Sequence, residues 1–95
     1  MYTRVTTYQA DPARLNELTA KLPQIKAKLG KMDGLVDWYA SWRADGHGVI
    51  FSVFEDQASA DASLSQVREL WAGLAGLLKA PPRAEGFENV ETLDD

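Results

Sequence analysis

The sequence predicts an α+β fold with the element order strand, helix, strand, strand, helix, strand around one antiparallel sheet. Three observations predict it. Leu35 to Glu55 holds two apolar, aromatic-rich runs on either side of Ala44-Asp45-Gly46-His47, the pattern of a β-hairpin. Before it, Leu15, Leu18, Leu22, Ile25 and Leu29 recur at spacings of three and four, one apolar stripe of an amphipathic helix. After it, Ala60, Leu64, Val67, Trp71, Leu74 and Leu78 make a second such stripe.

In chain order, Tyr2 to Gln9 is rich in β-branched and aromatic residues and reads as a strand. Its faces are Tyr2, Arg4, Thr6, Tyr8 and Thr3, Val5, Thr7, Gln9, and neither is strongly apolar. Arg4 has two readings: a strand-end position with the guanidinium reaching water, or a contact to an anion or carbonyl in a cleft. Asp11-Pro12 starts the first helix, Asp as N-cap and Pro at the first helical position. Pro23 lies inside that helix and should kink or divide it, and Gly30 ends it. Its polar face carries Arg14, Lys21, Lys26 and Lys28, a solvated surface diluted by Asp11 and Glu17.

Asp45-Gly46 is expected at the centre of a type I′ turn, which needs φ > 0 at both positions. That register sets Trp42 opposite Val49, Ala40 opposite Phe51 and Trp38 opposite Val53. One face of the hairpin is then almost wholly apolar (Val36, Trp38, Ala40, Trp42, Val49, Phe51, Val53). The other, with Tyr39, Ser41, Ile50 and Phe54, is mixed, so both faces need cover. Asp56 can cap the second helix. Gly73 and Gly76 weaken that helix, and Pro81-Pro82 is expected to end it. Phe87 to Leu93 reads as the last strand, followed by an acidic tail of Asp94 and Asp95.

Two crossovers sharing one antiparallel sheet make the ferredoxin-like βαββαβ arrangement, with both helices on one face. The 95 residues make one such domain, 1–95. The open face, rich in aromatic residues, is expected to meet a second copy of the chain in a homodimer. Trp38, Trp42, Val49, Phe51 and Val53 are the interface candidates.

Composition narrows the function. The charged fraction of 25% beside 45% hydrophobic residues argues against disorder. A net charge of −4 disfavours nucleic acid or an anionic membrane as the main partner. No apolar run approaches membrane-spanning length and the N-terminus has no signal-peptide pattern, so the expected compartment is the cytoplasm. With no Cys and one His, a nucleophilic triad and a thiolate metal site are not expected. His47 falls in the hairpin turn and reads as a surface residue.

The residues resemble a known family. Length, element order, the Pro12-Ala13 helix entry and Val49-Ile50-Phe51-Ser52-Val53-Phe54-Glu55-Asp56 running into the Ala-rich Ala58 to Ala62 are similar to antibiotic biosynthesis monooxygenase-like proteins. These form one branch of the dimeric α/β-barrel superfamily. Phe54 stands where Trp is usual. The resemblance implies a dimer whose two sheets close into a barrel, pockets between each sheet and its own helices, and oxygenation of polycyclic or quinol-type aromatics without a metal or flavin. The haem-degrading branch fits poorly. Its strand Asn falls at Thr6, its helix Trp at Ser63, and the second helix holds no His.

A pocket lined by Arg4, Thr6 and Tyr8 of the first strand, Tyr39 and Ser41 of the hairpin and Trp71 of the second helix would suit a flat apolar ligand. The activity that the resemblance implies is cofactor-independent monooxygenation of a small quinol- or polyketide-like aromatic. Arg4 would stabilise the substrate anion, and Tyr8 or Tyr39 would orient its oxygen. The second reading is a non-catalytic dimeric binding or sensor protein, in which the aromatic residues are core and interface. A third, an RNA-recognition domain, fails because Val49, Phe51 and Val53 share one face without the basic residue that such a strand carries.

Overall fold

A computed structural model of the chain describes residues 1–93; the acidic pair Asp94 and Asp95 lies outside the described residues. Strand β1 spans Tyr2–Ala10. The Asp11 carboxylate then accepts the Ala13 N–H at 3.0 Å and caps a 3-10 turn, Pro12–Arg14. Two helices follow, α1 at Leu15–Ala20 and α2 at Leu22–Leu29, with Pro23 in the first turn of α2. Pro23 has no N–H to donate to the preceding turn, so the segment divides at Lys21. Strands β2 (Leu35–Trp42) and β3 (His47–Phe54) form the hairpin. The Asp56 carboxylate accepts the Ser59 N–H at 2.7 Å and opens α3, Gln57–Ala62. That bond holds the Asp56 carboxyl below the usual carboxylate range. Helix α4 covers Leu64–Ala72, a 3-10 turn spans Ala75–Leu77, and β4 runs Leu78–Phe87.

The four strands lie in the order β2-β3-β1-β4, and every neighbouring pair is antiparallel. This is the α+β, ferredoxin-like arrangement expected from the sequence. Two expectations are corrected. The first concerns the last strand. It ends at Phe87 instead of beginning there, and it contains Pro81-Pro82. β4 is an edge strand, so a residue without an N–H need not break a ladder on both sides. Its pairing with β1 shifts register between Thr7, opposite Arg83, and Gln9, opposite Ala80, and the two prolines fill that irregularity.

The second correction concerns the hairpin register. Trp42 pairs with Gly48, Ala40 with Ile50 and Trp38 with Ser52. Among the described residues none other than glycine has positive φ, so Asp45 is not left-handed and the turn is not type I′; Gly46 alone carries φ +89° there. The Gly46 N–H donates to the Arg43 carbonyl and the Arg43 N–H to the His47 carbonyl, both at 2.9 Å. This is a three-residue connection, a tight turn followed by a left-handed glycine. The slip of one residue moves β3 to the opposite face relative to β2.

The helix-side face therefore carries Tyr2, Arg4, Thr6 and Tyr8 of β1, Ile50, Ser52 and Phe54 of β3, and Trp38, Ala40 and Trp42 of β2. Phe54, 1% exposed, is the largest fully buried side chain and packs with Leu29, Met32 and Ala60. Burying it contributes roughly 1.5–3 kcal/mol. The open face carries Val5, Val49, Phe51 and Val53, with Asp37, Tyr39 and Ser41 of β2 beside them.

Candidate functional site

The alternation of β1 points four polar-tipped side chains at the helices, and each meets a different environment. Arg4 is only 7% exposed. Its guanidinium donates to the Ala60 carbonyl of α3 at 2.6 Å and to Ser63 Oγ at 3.3 Å. It also lies over the Phe54 ring, 5.2 Å from the centroid, within cation–π range. Burial draws its pKa down, while Tyr2 and Asp61 act in the opposite direction. Neither sequence reading of Arg4 describes this fully. The side chain is largely buried, and the carbonyl it contacts is the protein's own.

Tyr8 is buried two rungs along the same face, and its ring meets Trp71 at 5.6 Å between centroids, tilted by 51°. Gly48 sits opposite it, and a Cβ there would fall on the Tyr8 ring, so only glycine leaves the ring its place. Burial pushes the Tyr8 phenol up, so at neutral pH it is a neutral hydrogen-bonding group rather than a base.

Helix α4 has a space on either side, and Val67 and Trp71 line both. Toward α1 and α2 lies a narrow cavity of about 80 Å³ walled by Tyr8, Trp38, Trp42 and Ile50 among other apolar groups. Among the described residues no Asp, Glu, His, Lys or Arg lines it. Toward β4 lies a wider, more open cleft of about 650 Å³. Arg4 and Thr6 line it from β1, Arg68 and Trp71 from α4, and Lys79 and the two prolines from β4.

The expected pocket residues thus divide. Arg4, Thr6 and Trp71 border the wide cleft, and Tyr8 borders the narrow cavity. Tyr39 and Ser41 do not join them: the hairpin register places both on the open face, opposite Phe51 and Val49. Two expected interface residues, Trp38 and Trp42, sit instead on the helix side and line the narrow cavity. Val49, Phe51 and Val53 remain on the open face, where Phe51 is 44% exposed. The sequence reading missed Arg68 and Lys79. For Arg68 a signal existed, since it precedes Trp71 by three residues and so shares its helical face. Lys79 was hidden by the misplaced last strand.

No family model matches the chain, and no curated protein matches it in sequence. Solved structures do. A Nitrosomonas europaea protein of unknown function is 24% identical, covers 96% of this chain and 90% of its own, and superposes with a TM-score of 0.81. A candidate antibiotic biosynthesis monooxygenase from Deinococcus radiodurans is 18% identical, with 98% and 96% covered and a TM-score of 0.81. The fold is that of the antibiotic biosynthesis monooxygenases. A monooxygenase from Streptomyces coelicolor, solved in complex with nanaomycin D, has this fold too, at 19% identity, 97% and 89% coverage and a TM-score of 0.76.

Among the described residues, no side chain lining the cleft is suited to take a proton at neutral pH. Its ionisable lining is Arg4, Arg68 and Lys79, all cations. The arrangement can hold an aromatic ring against Trp71 and attract negative charge. Among the described residues no cluster of His and acidic side chains could hold a metal ion, and no helix is long and apolar enough to cross a membrane.

Proposed function

We propose that the protein is a cofactor-independent monooxygenase that binds a small quinol- or polyketide-like aromatic in the cleft between α4 and β4. The wide cleft with Trp71 in its wall is the observation that carries this reading. The narrow cavity is too small for a ring system of that size unless its walls move. The nanaomycin D complex supports a small-molecule ligand, because there a monooxygenase of the same fold holds one.

In the overall reaction a CH2 group of an anthrone-type substrate becomes C=O. One oxygen atom of O2 enters that carbonyl, and the other leaves as water with the two hydrogens. The substrate carbon supplies all four electrons. Among the described residues no base lines the cleft, so in this reading the substrate loses its first proton to solvent. The cations would hold the resulting anion. Flat aromatics should therefore quench tryptophan fluorescence. An anthrone- or quinol-type compound in air should consume oxygen faster than the buffer control, at a rate that rises as pH passes the substrate pKa. A panel of such compounds that bind without oxygen uptake would overturn the enzyme.

That outcome would favour the second reading, a non-catalytic small-molecule-binding protein. It has one specific support: Arg4, the buried cation of the cleft lining, already spends donors on Ala60 and Ser63.

In either reading the chain works as a homodimer closed through the open face of the sheet, in the cytoplasm. The support is Phe51 at 44% and Tyr39 at 59% exposure on paired strands with Val5, Val49 and Val53 around them. Apolar surface of this kind marks an association site. Light scattering at micromolar concentration should return twice the chain mass, and Phe51→Asp should return the chain mass. A monomer in the unaltered protein would remove the dimer from the reading.

A further inference from the structure

The wide cleft has a charge pattern that the chain as a whole does not share. The protein carries a net charge of −4, yet among the described residues every ionisable one lining this cleft is a cation. Two of the three stand on opposite walls: Arg68 on α4 and Lys79 on β4, both exposed. The ion pairs among the described residues are Arg14 with Glu17 and Arg43 with Asp45, so neither of these cations is neutralised by a neighbouring carboxylate. Between them the lining is apolar, with Trp71, Pro81 and Pro82. On α4, Leu64, Val67, Arg68 and Trp71 recur at helical spacing, so the helix offers one face with an aromatic and a guanidinium one turn apart.

We infer that the cleft selects an aromatic compound that carries a carboxylate, with the ring against Trp71 and the carboxylate held by Arg68 and Lys79. The reasons are chemical. A guanidinium meets a carboxylate with two parallel N–H donors, and an ammonium on the facing wall adds a third. Low-dielectric walls focus the field of both cations on the space between them. A neutral aromatic would gain only the ring contact and would leave both cations to water. The inference rests on the reading of this cleft as the ligand site and adds the charge of the ligand to it. It does not depend on whether a reaction follows binding.

The test uses 2-naphthoate and its neutral isostere 2-naphthamide, titrated by calorimetry into the full chain at low salt. Naphthoate should bind roughly tenfold or more tightly than naphthamide, the scale of one charge-assisted pair. Added salt should narrow that gap. In the Arg68→Gln/Lys79→Gln double variant the two compounds should bind alike, and naphthamide affinity should be unchanged. A melting curve like that of the unaltered protein confirms that the variant folds. Equal affinities in the unaltered protein, or a preference that survives in the double variant, would overturn the charge inference while leaving the cleft as an aromatic site. If neither compound binds, the cleft reading falls and the inference falls with it.

Discussion

Arg4→Ala is expected to lower the melting temperature by roughly 12–24 °C. Three interactions are lost together. The guanidinium bonds to the Ala60 carbonyl and Ser63 Oγ tie β1 to the α3–α4 junction, and hydrogen bonds from a charged group contribute about 1.5–3 kcal/mol. The contact over Phe54 adds about 0.5–2 kcal/mol when desolvated. With the 2.6 Å bond to Ala60 counted in full and the long 3.3 Å contact to Ser63 adding little, the loss comes to about 3 kcal/mol, and each kcal/mol moves the melting temperature of a domain this size by about 4–8 °C. The Ala60 carbonyl keeps its bond from Ser63 Oγ at 2.7 Å, so the variant leaves no orphaned acceptor there.

A purely electrostatic role toward a substrate would look different. It would lower oxygen uptake and leave the melting curve in place. Arg4→Met separates the parts further, because it keeps an unbranched apolar side chain in place of the stem and removes the guanidinium with its charge and donors. Its melting temperature should fall between those of Arg4→Ala and the unaltered protein. An Arg4→Ala protein that melts like the unaltered one would mean that Arg4 does not tie strand to helix.

Much of this was legible in the chain because the signals are local. Asp11-Pro12, the leucine stripe, Pro23 and Asp56 each act through neighbours a turn away, and each sits where expected. The misplaced last strand depended on topology. A Pro-Pro pair reads as a terminator unless it is known that the strand lies at a sheet edge with an irregular ladder, and edge position is a property of the whole sheet. The cleft was legible on its β1 and α4 walls only, through Arg4, Thr6 and Trp71, because its third wall is that strand. The hairpin error was smaller in the chain and larger in effect. Counting one residue too few in the turn exchanged Trp38 and Trp42 with Tyr39 and Ser41 between pocket and open face.

Gly46→Val tests that register directly. Gly46 has φ +89°, and a Cβ there would fall on the Ala10 carbonyl oxygen, whose residue also donates its own N–H to the Gly46 carbonyl at 2.8 Å. Strain of a β-branched residue at such a φ costs about 1–3 kcal/mol. The collision with a backbone atom on a central strand cannot be relieved by a rotamer change, so the cost should reach the top of that range. The melting temperature should fall by roughly 12–24 °C. Asp45→Ala is the control that separates the two turns. In a type I′ turn Asp45 would also need φ > 0, and alanine there would be strained. In the observed turn Asp45 has negative φ and contributes a side-chain acceptor for the His47 N–H at 2.9 Å, so alanine should shift the melt much less than Gly46→Val does. Comparable losses from the two substitutions would restore the type I′ register and return Trp38 and Trp42 to the face that carries Val49 and Phe51. A large loss at Gly46 alone keeps them over the narrow cavity, where the Tyr8 and Trp71 rings meet.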